Sequence, residues 1–126
     1  MEMTTSEALE ILQKWVGDSS LIEGFLVVTG EPSLGIPDQP GTKILSRVLG
    51  QLTLSSENRV LAVHKGTSRI ALNYINGRFD YFDAREDTDS PESTAEAYIC
   101  GMRISFESGV QCFLYERRRG IGSPSA

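Results

Sequence analysis

The side chains best suited to chemistry are one histidine and two cysteines: His64, Cys100 and Cys112. An imidazole can act as a base or a metal ligand, and a thiolate can act as a nucleophile or a ligand. The three residues are far apart, and no C-x-x-C or H-x-x-x-H spacing typical of a zinc site is present. No G-x-S-x-G segment positions a serine nucleophile. We therefore expect no catalytic residue, no metal and no cofactor, with His64 facing solvent beside the turn at Lys65 and Gly66.

Two loops and a basic triplet remain as sites where a partner could bind. Residues 30–41 contain three prolines and three glycines, which exclude a helix or a central strand. Leu34 and Ile36 in this loop either contact a partner or fold back and plug one end of the sheet. Residues 83–94 are mostly acidic and polar, so we expect an exposed, mobile loop. Arg117 to Arg119 either grip phosphate or pair with that acidic loop.

Composition narrows the class of partner. The 126 residues include 12 basic and 17 acidic side chains, and this net charge of −5 repels a phosphate backbone. No apolar run reaches the roughly 20 residues of a membrane helix, and residues 1–14 lack a signal-peptide pattern. We therefore expect no nucleic acid, no membrane and a cytoplasmic location, where two reduced cysteines are ordinary core residues.

The N-terminal segment has the pattern of an amphipathic helix. Thr4 and Glu7 have capping-box spacing, and Gly17 is expected to end the helix in a left-handed conformation. Apolar residues recur between them at helical spacing and form one stripe: Ala8, Leu9, Ile11, Leu12, Trp15 and Val16. A helix of about three turns is marginal alone, so it must pack on a sheet.

The rest of the chain predicts about seven strands. Their ranges are 21–29, 44–55, 59–64, 69–75, 78–83 and two within 98–115. Gly50 marks an expected bulge in the second of these. Asn76 and Gly77 predict a tight hairpin that sets Tyr74 opposite Phe79.

The last two strands are predicted to form a hairpin around residues 107–109, with Gly109 in the left-handed position. This register sets Ile104 opposite Cys112 and Cys100 opposite Glu116. The two thiols are then too far apart to form a disulfide.

These elements predict a mainly β fold, α+β by content. An antiparallel β-meander forms a small barrel or a rolled sheet, with the N-terminal helix packed on it. We expect residues 1–119 to form a single domain and residues 120–126 to form a disordered tail.

For function, the missing catalytic constellation and the two long loops favour a non-catalytic module that binds a protein or a small ligand. The expected partner contacts are Trp15, Leu34 and Ile36. Self-association as a homodimer, through a strand edge or the face around Trp15, belongs to this hypothesis.

The alternative is a small-molecule carrier or small enzyme that uses a barrel interior. Ile70, Leu72, Tyr74, Phe79 and Tyr81 would form its aromatic-rich inner face. Its pocket would use His64, Asn73, Tyr74 and Asp80.

Overall fold

The computed structural model describes residues 1–31, 41–55, 57–83 and 98–117. A short strand, β1 (Glu2–Met3), precedes the helix α1 (Thr5–Gly17). The strands that follow are β2 (Leu21–Glu31), β3 (Gly41–Ser55), β4 (Val60–Lys65), β5 (Ser68–Asn73), β6 (Arg78–Asp83), β7 (Tyr98–Ser105) and β8 (Val110–Arg117). The predicted strands are therefore confirmed, and β1 is an addition. The residues outside the described ranges include Leu34 and Ile36, residues 84–94 of the acidic loop, Arg118 and Arg119, and the tail at 120–126.

The described strands form one antiparallel sheet in the order β1-β6-β7-β8-β2-β3-β4-β5. The sheet is curled but not closed, so the rolled-sheet form of the prediction is the one that the structure has. No helix in the described part of the chain is long and apolar enough to span a membrane.

The helix begins and ends through local hydrogen bonds. Thr4 and Glu7 form the predicted capping box, with Glu7 N donating to Thr4 Oγ1 at 3.2 Å and Thr4 N donating to Glu7 Oε1 at 3.0 Å. The helix ends at Gly17, as predicted, but Gly17 does not have the predicted left-handed conformation; the left-handed residue is Ser19, with φ of 50°. Ser19 N bonds Val16 O and Ser20 N bonds Trp15 O, which is the bonding pattern of a Schellman motif.

The sheet has an inner face that packs on α1 and an opposite outer face. Ala8, Leu12 and Trp15 of the helix belong to one core cluster with inner-face residues of the strands. These are Ile22, Val48, Leu52, Leu61, Val63, Ile70, Phe79, Cys100, Met102, Ile104, Cys112 and Leu114, together with Tyr74 from the turn after β5. The indole of Trp15 is therefore core and not an exposed partner contact, since Trp15 is only 3% exposed.

The hairpin of β7 and β8 has the predicted register. Ile104 lies opposite Cys112, Cys100 lies opposite Glu116, and Gly109 has φ of 89°. Both cysteines are free and buried.

The predicted hairpin at Asn76 and Gly77 is wrong. Strand β5 pairs with β4, whereas β6 pairs with β1 and β7. Asn76 has a positive φ of 63°, but Gly77 does not, and Gly77 N donates to Tyr74 O. Ile75 and Asn76 are thus the central residues of a type II turn, which does not match the twist of a two-residue hairpin. The turn instead carries the chain from β5, at one edge of the sheet, to β6 near the other edge.

The bulge predicted at Gly50 lies elsewhere. The register of β2 and β3 is continuous through Gly50. It shifts between Leu26 and Val27 of β2, where Leu45 of β3 has no partner. Gly50 has a different role, because a Cβ there would lie 2.1 Å from the backbone oxygen of His64.

Candidate functional site

The outer face of the sheet carries an unusual concentration of aromatic side chains. In β8, Cys112 and Leu114 point into the core, so Phe113 and Tyr115 lie on the outer face. In β2, Ile22 points into the core, which places Glu23 and Phe25 on the outer face. We define the outer-face cluster as Glu23, Phe25, Arg47, Phe82, Tyr98, Phe113, Tyr115 and Arg117.

Strand register brings these residues together from five strands. Phe25 lies opposite Arg47 of β3 on one side and opposite Phe113 of β8 on the other. Gly101 of β7 lies between Phe82 and Tyr115, and a Cβ at Gly101 would be 2.5 Å from Phe82 Cε2 and 3.0 Å from Tyr115 Cδ1. Because Gly101 has no side chain, the rings of Phe82 and Tyr115 can approach each other above it.

Tyr115 is the centre of the aromatic arrangement. Its ring stacks on Tyr98 with centroids 4.7 Å apart, and it lies parallel to Phe113 at 6.3 Å. It meets Phe25 at 5.8 Å and Phe82 at 5.6 Å in edge-on geometry. All five rings are only half-buried, so they form a layer that still reaches solvent.

Glu23 is a fully buried carboxylate under this layer, with 0% exposure. Its Oε1 accepts a hydrogen bond from the Tyr98 hydroxyl, and its Oε2 accepts from Arg47 Nε at 2.9 Å and also from Arg47 Nη2. A buried charge is tolerated when it is paired and hydrogen-bonded, and both conditions are met here.

The two donors to Glu23 are themselves shifted in pKa. Burial raises the pKa of Tyr98 well above its usual value, and the hydrogen bond to Glu23 raises it further. The hydrogen bond and charge of Glu23 raise the pKa of Arg47. Tyr98 and Arg47 therefore stay protonated, as donors, throughout the neutral range.

Guanidinium groups lie at the margin of the aromatic layer. Arg47 lies over Phe25 at 5.4 Å, and Arg117 lies over Tyr98 at 5.7 Å. Next to Phe113, Arg103 pairs with Asp80 at 3.0 Å. The outer-face cluster thus holds two arginines and one glutamate, a local positive balance in a chain of net charge −5.

The thiols lie on the inner face and are poor nucleophiles. Burial raises the pKa of both Cys100 and Cys112 to about 12. Cys100 Sγ donates to Glu116 Oε1 at 3.4 Å, while Ser20 Oγ donates to Glu116 Oε2 at 3.0 Å. The thiol is the protonated partner in this group, which makes it a structural donor.

The residues predicted for a ligand pocket are not brought together. His64 is half-buried on β4, and the register of β4 and β5 places it and Asn73 at opposite ends of their hairpin. Asn73 is exposed, and its Oδ1 accepts from Ile75 N at 2.8 Å. Tyr74 is a core residue at 5% exposure, and Asp80 is separated from β4 by β7, β8, β2 and β3. The predicted aromatic inner face does exist, but α1 packs against it through Ala8, Leu12 and Trp15.

The outer-face cluster was not predicted from the sequence, although the sequence of β8 contains a signal for it. Strand β8 contains Cys112, Phe113, Leu114 and Tyr115 in succession, so apolar residues lie on both of its faces. A strand that is apolar on both faces is typical of burial on both sides. Glu23, the charge inside this layer, carries no such signal because its partner Tyr98 is 75 residues away.

Comparisons with protein-family models, with curated proteins and with solved structures found no match to this chain. Among the described residues, no group of three His, Cys, Asp or Glu side chains is placed to hold a metal ion. The outer-face cluster is the candidate functional site in the described part of the chain.

Proposed function

We propose that this chain is a non-catalytic protein-interaction module of the cytoplasm, and that its outer-face cluster binds an acidic segment of a partner protein. One observation carries the proposal: five half-buried aromatic rings, framed by Arg47 and Arg117, form a layer around a buried carboxylate. Tyr, Phe and Arg are the residue types enriched in protein interfaces, where they bury large apolar area while keeping a polar group.

The geometry favours binding because the layer is fixed before a partner arrives. The hydrogen bonds from Tyr98 and Arg47 to Glu23 hold a ring and a guanidinium in place. Tyr115 touches four other rings, so these side chains have little rotamer freedom to lose on binding. Preorganised side chains reduce the entropic cost of association.

Charge favours an acidic partner. Arg47 remains 61% exposed in its side chain while it bonds Glu23, so part of its guanidinium stays available to a second acceptor. Arg117, over the Tyr98 ring, adds a cation at the other margin. A carboxylate of the partner would meet donors of fixed geometry beside an apolar surface.

Site-specific photo-crosslinking in the source cells tests the proposal. A photoreactive phenylalanine analogue at Phe113 replaces a side chain of similar shape, and the same analogue at the exposed helix residue Gln13 is the control. We expect a discrete crosslinked adduct from Phe113 and none from Gln13. Adducts from neither position, or equal adducts from both, would reject the outer face as the binding surface.

Charge reversal then tests the acidic partner. Arg117→Glu should reduce the yield of the Phe113 adduct, because a repulsive carboxylate replaces an attractive cation. Arg59→Glu is the matched control, since Arg59 is an exposed arginine in the turn before β4. Equal yields for both variants would contradict an acidic partner while leaving the surface itself supported.

A further inference from the structure

Strand β5 is an edge of the sheet along its whole length. It pairs with β4 over residues Ser68 to Asn73 without a register shift, and no described strand pairs with its other side. The opposite edge differs, because β1 contributes only Glu2 and Met3.

The turn before β5 determines which backbone groups face outward. Lys65 and Ser68 flank a two-residue loop that begins with Gly66 at φ of 60°, as a type II′ hairpin requires. The two residues that flank such a loop form a hydrogen-bonded pair. Hydrogen-bonded pairs alternate with non-hydrogen-bonded pairs along an antiparallel ladder. The N–H and C=O groups of Arg69, Ala71 and Asn73 therefore point away from β4.

This edge has few of the features by which soluble proteins prevent edge-to-edge pairing. Those features include charged side chains, prolines, bulges, inward-pointing charges and very short strands. Strand β5 carries one charge, Arg69 at one end, and it has no proline, lysine or bulge. Its outer-face residues Arg69, Ala71 and Asn73 are all exposed.

We propose that β5 pairs antiparallel with β5 of a second copy of this chain, around a twofold axis at Ala71. In this register Ala71 lies opposite Ala71 of the second copy, and Arg69 lies opposite Asn73 of the second copy. No like charges meet, and the small side chain of Ala71 allows close approach at the axis. The outward backbone groups of Arg69, Ala71 and Asn73 then form about six hydrogen bonds between the copies.

The same register favours a second copy over an unrelated peptide. On the inner side it sets Ile70 opposite Leu72 of the second copy, so apolar residues meet apolar residues on both sides of the axis. Antiparallel pairing of identical edges also keeps both outer faces on the same side of a continuous sheet. The dimer therefore presents two outer-face clusters in one direction, which raises the avidity for a partner with repeated binding segments.

Sedimentation equilibrium of the full chain tests the dimer, with an expected mass of twice 13.9 kDa. Ala71→Glu and Ala71→Lys each place like charges opposite each other at the axis, and each should weaken dimerisation at least tenfold, that is, by about 1.4 kcal/mol. An equimolar mixture of the two variants should restore the dimer, because opposite charges then meet. Thr53→Glu is the control, since Thr53 is exposed on β3, away from the edge.

A monomeric wild-type chain would overturn the proposal, and so would a dimer that Ala71→Glu and Ala71→Lys leave unchanged. Weakening by both variants without recovery in the mixture would reject the axis at Ala71. The result is independent of the proposed function, because monomeric Ala71→Glu should still give the Phe113 adduct.

Discussion

At the scale of the residue, the hydroxyl of Tyr98 is one of two groups that satisfy the buried carboxylate of the outer-face cluster. It donates a hydrogen bond to Glu23. Because Glu23 is 0% exposed, water cannot replace this donor if the hydroxyl is removed. Removing one partner of a buried charged group costs more than the bond itself contributes, because the other partner stays desolvated.

We therefore predict that Tyr98→Phe lowers the free energy of unfolding by about 1.5–3 kcal/mol. In a Glu23→Gln background the same substitution should cost less, because a neutral amide is easier to leave unpaired. Urea unfolding of the two single variants and the double variant measures the coupling. Additive effects would contradict a direct bond between the two side chains.

The buried thiol of Cys112 predicts a dependence of stability on alkaline pH. Its pKa is raised from 9.0 to about 12 by burial. Below pH 9 both states hold the proton; between pH 9 and 12 only the unfolded state loses it, so stability falls as pH rises.

We predict that Cys112→Ala reduces this slope by about 1.4 kcal/mol per pH unit, which corresponds to one unmatched proton. Urea unfolding at pH 10 and 11, between the unfolded and folded pKa values, measures this slope, with the neutral-pH value as the reference for each variant. An unchanged slope would mean that the Cys112 thiol ionises equally in the folded chain.

At the scale of the element, the features that could be predicted from the sequence are those that local signals determine. The helix start at Thr4 and the register of β7 and β8 were confirmed, because a cap and a three-residue turn specify them without distant contacts. The β5–β6 hairpin was wrong, because Asn76 and Gly77 carry a turn signal but the pairing of β6 depends on β7, which lies beyond the acidic loop.

The outer-face cluster could not be assembled from sequence for the same reason. Its residues come from β2, β3, β6, β7 and β8, whose order in the sheet differs from their order in the chain. Alternation identifies which residues share a face of one strand, but only strand order determines which strands are neighbours. Glu23 and Tyr98 meet solely because β8 and β2 are adjacent and β7 is next to β8.

Gly50 shows how a close strand approach depends on one residue. A Cβ at this position would lie 2.1 Å from His64 O and 3.1 Å from Lys65 Cβ, and a backbone oxygen cannot rotate away. The glycine is therefore required by the contact between β3 and β4.

We predict that Gly50→Ala destabilises the fold by about 2–3 kcal/mol or more, because the strands must separate. Gly17→Ala is the matched control, since a Cβ there has no atom within 4 Å and alanine favours the helix. Thermal unfolding of both variants compares them. Equal melting temperatures would show that β3 and β4 can move apart at little cost.

At the scale of the whole molecule, one core joins both edges of the sheet. The turn from Tyr74 to Gly77 connects β5, at one edge, to β6 near the other. The rings of Tyr74 and Phe79 meet at 6.4 Å, and both belong to the core cluster that contains Leu12 and Trp15 of the helix. The two ends of the curled sheet therefore meet through core side chains that share a cluster with α1, and no strand pairing joins β5 to β6.

This arrangement predicts that the helix and the sheet unfold together. Trp15 is the only tryptophan, so its fluorescence reports the docking of α1, while far-UV circular dichroism reports mainly the strands. At one fixed protein concentration the two transitions in urea should coincide, because neither α1 nor the curled sheet buries its apolar face alone.

Leu12→Ala should shift both midpoints equally, at a cost of about 2–5 kcal/mol, since Leu12 is 0% exposed. Val16→Ala, at a position that is 37% exposed, should shift neither by much. A fluorescence change that precedes the loss of strand signal would mean that the sheet holds its curl without the helix, and the single core would then be the wrong description of what keeps the two edges together.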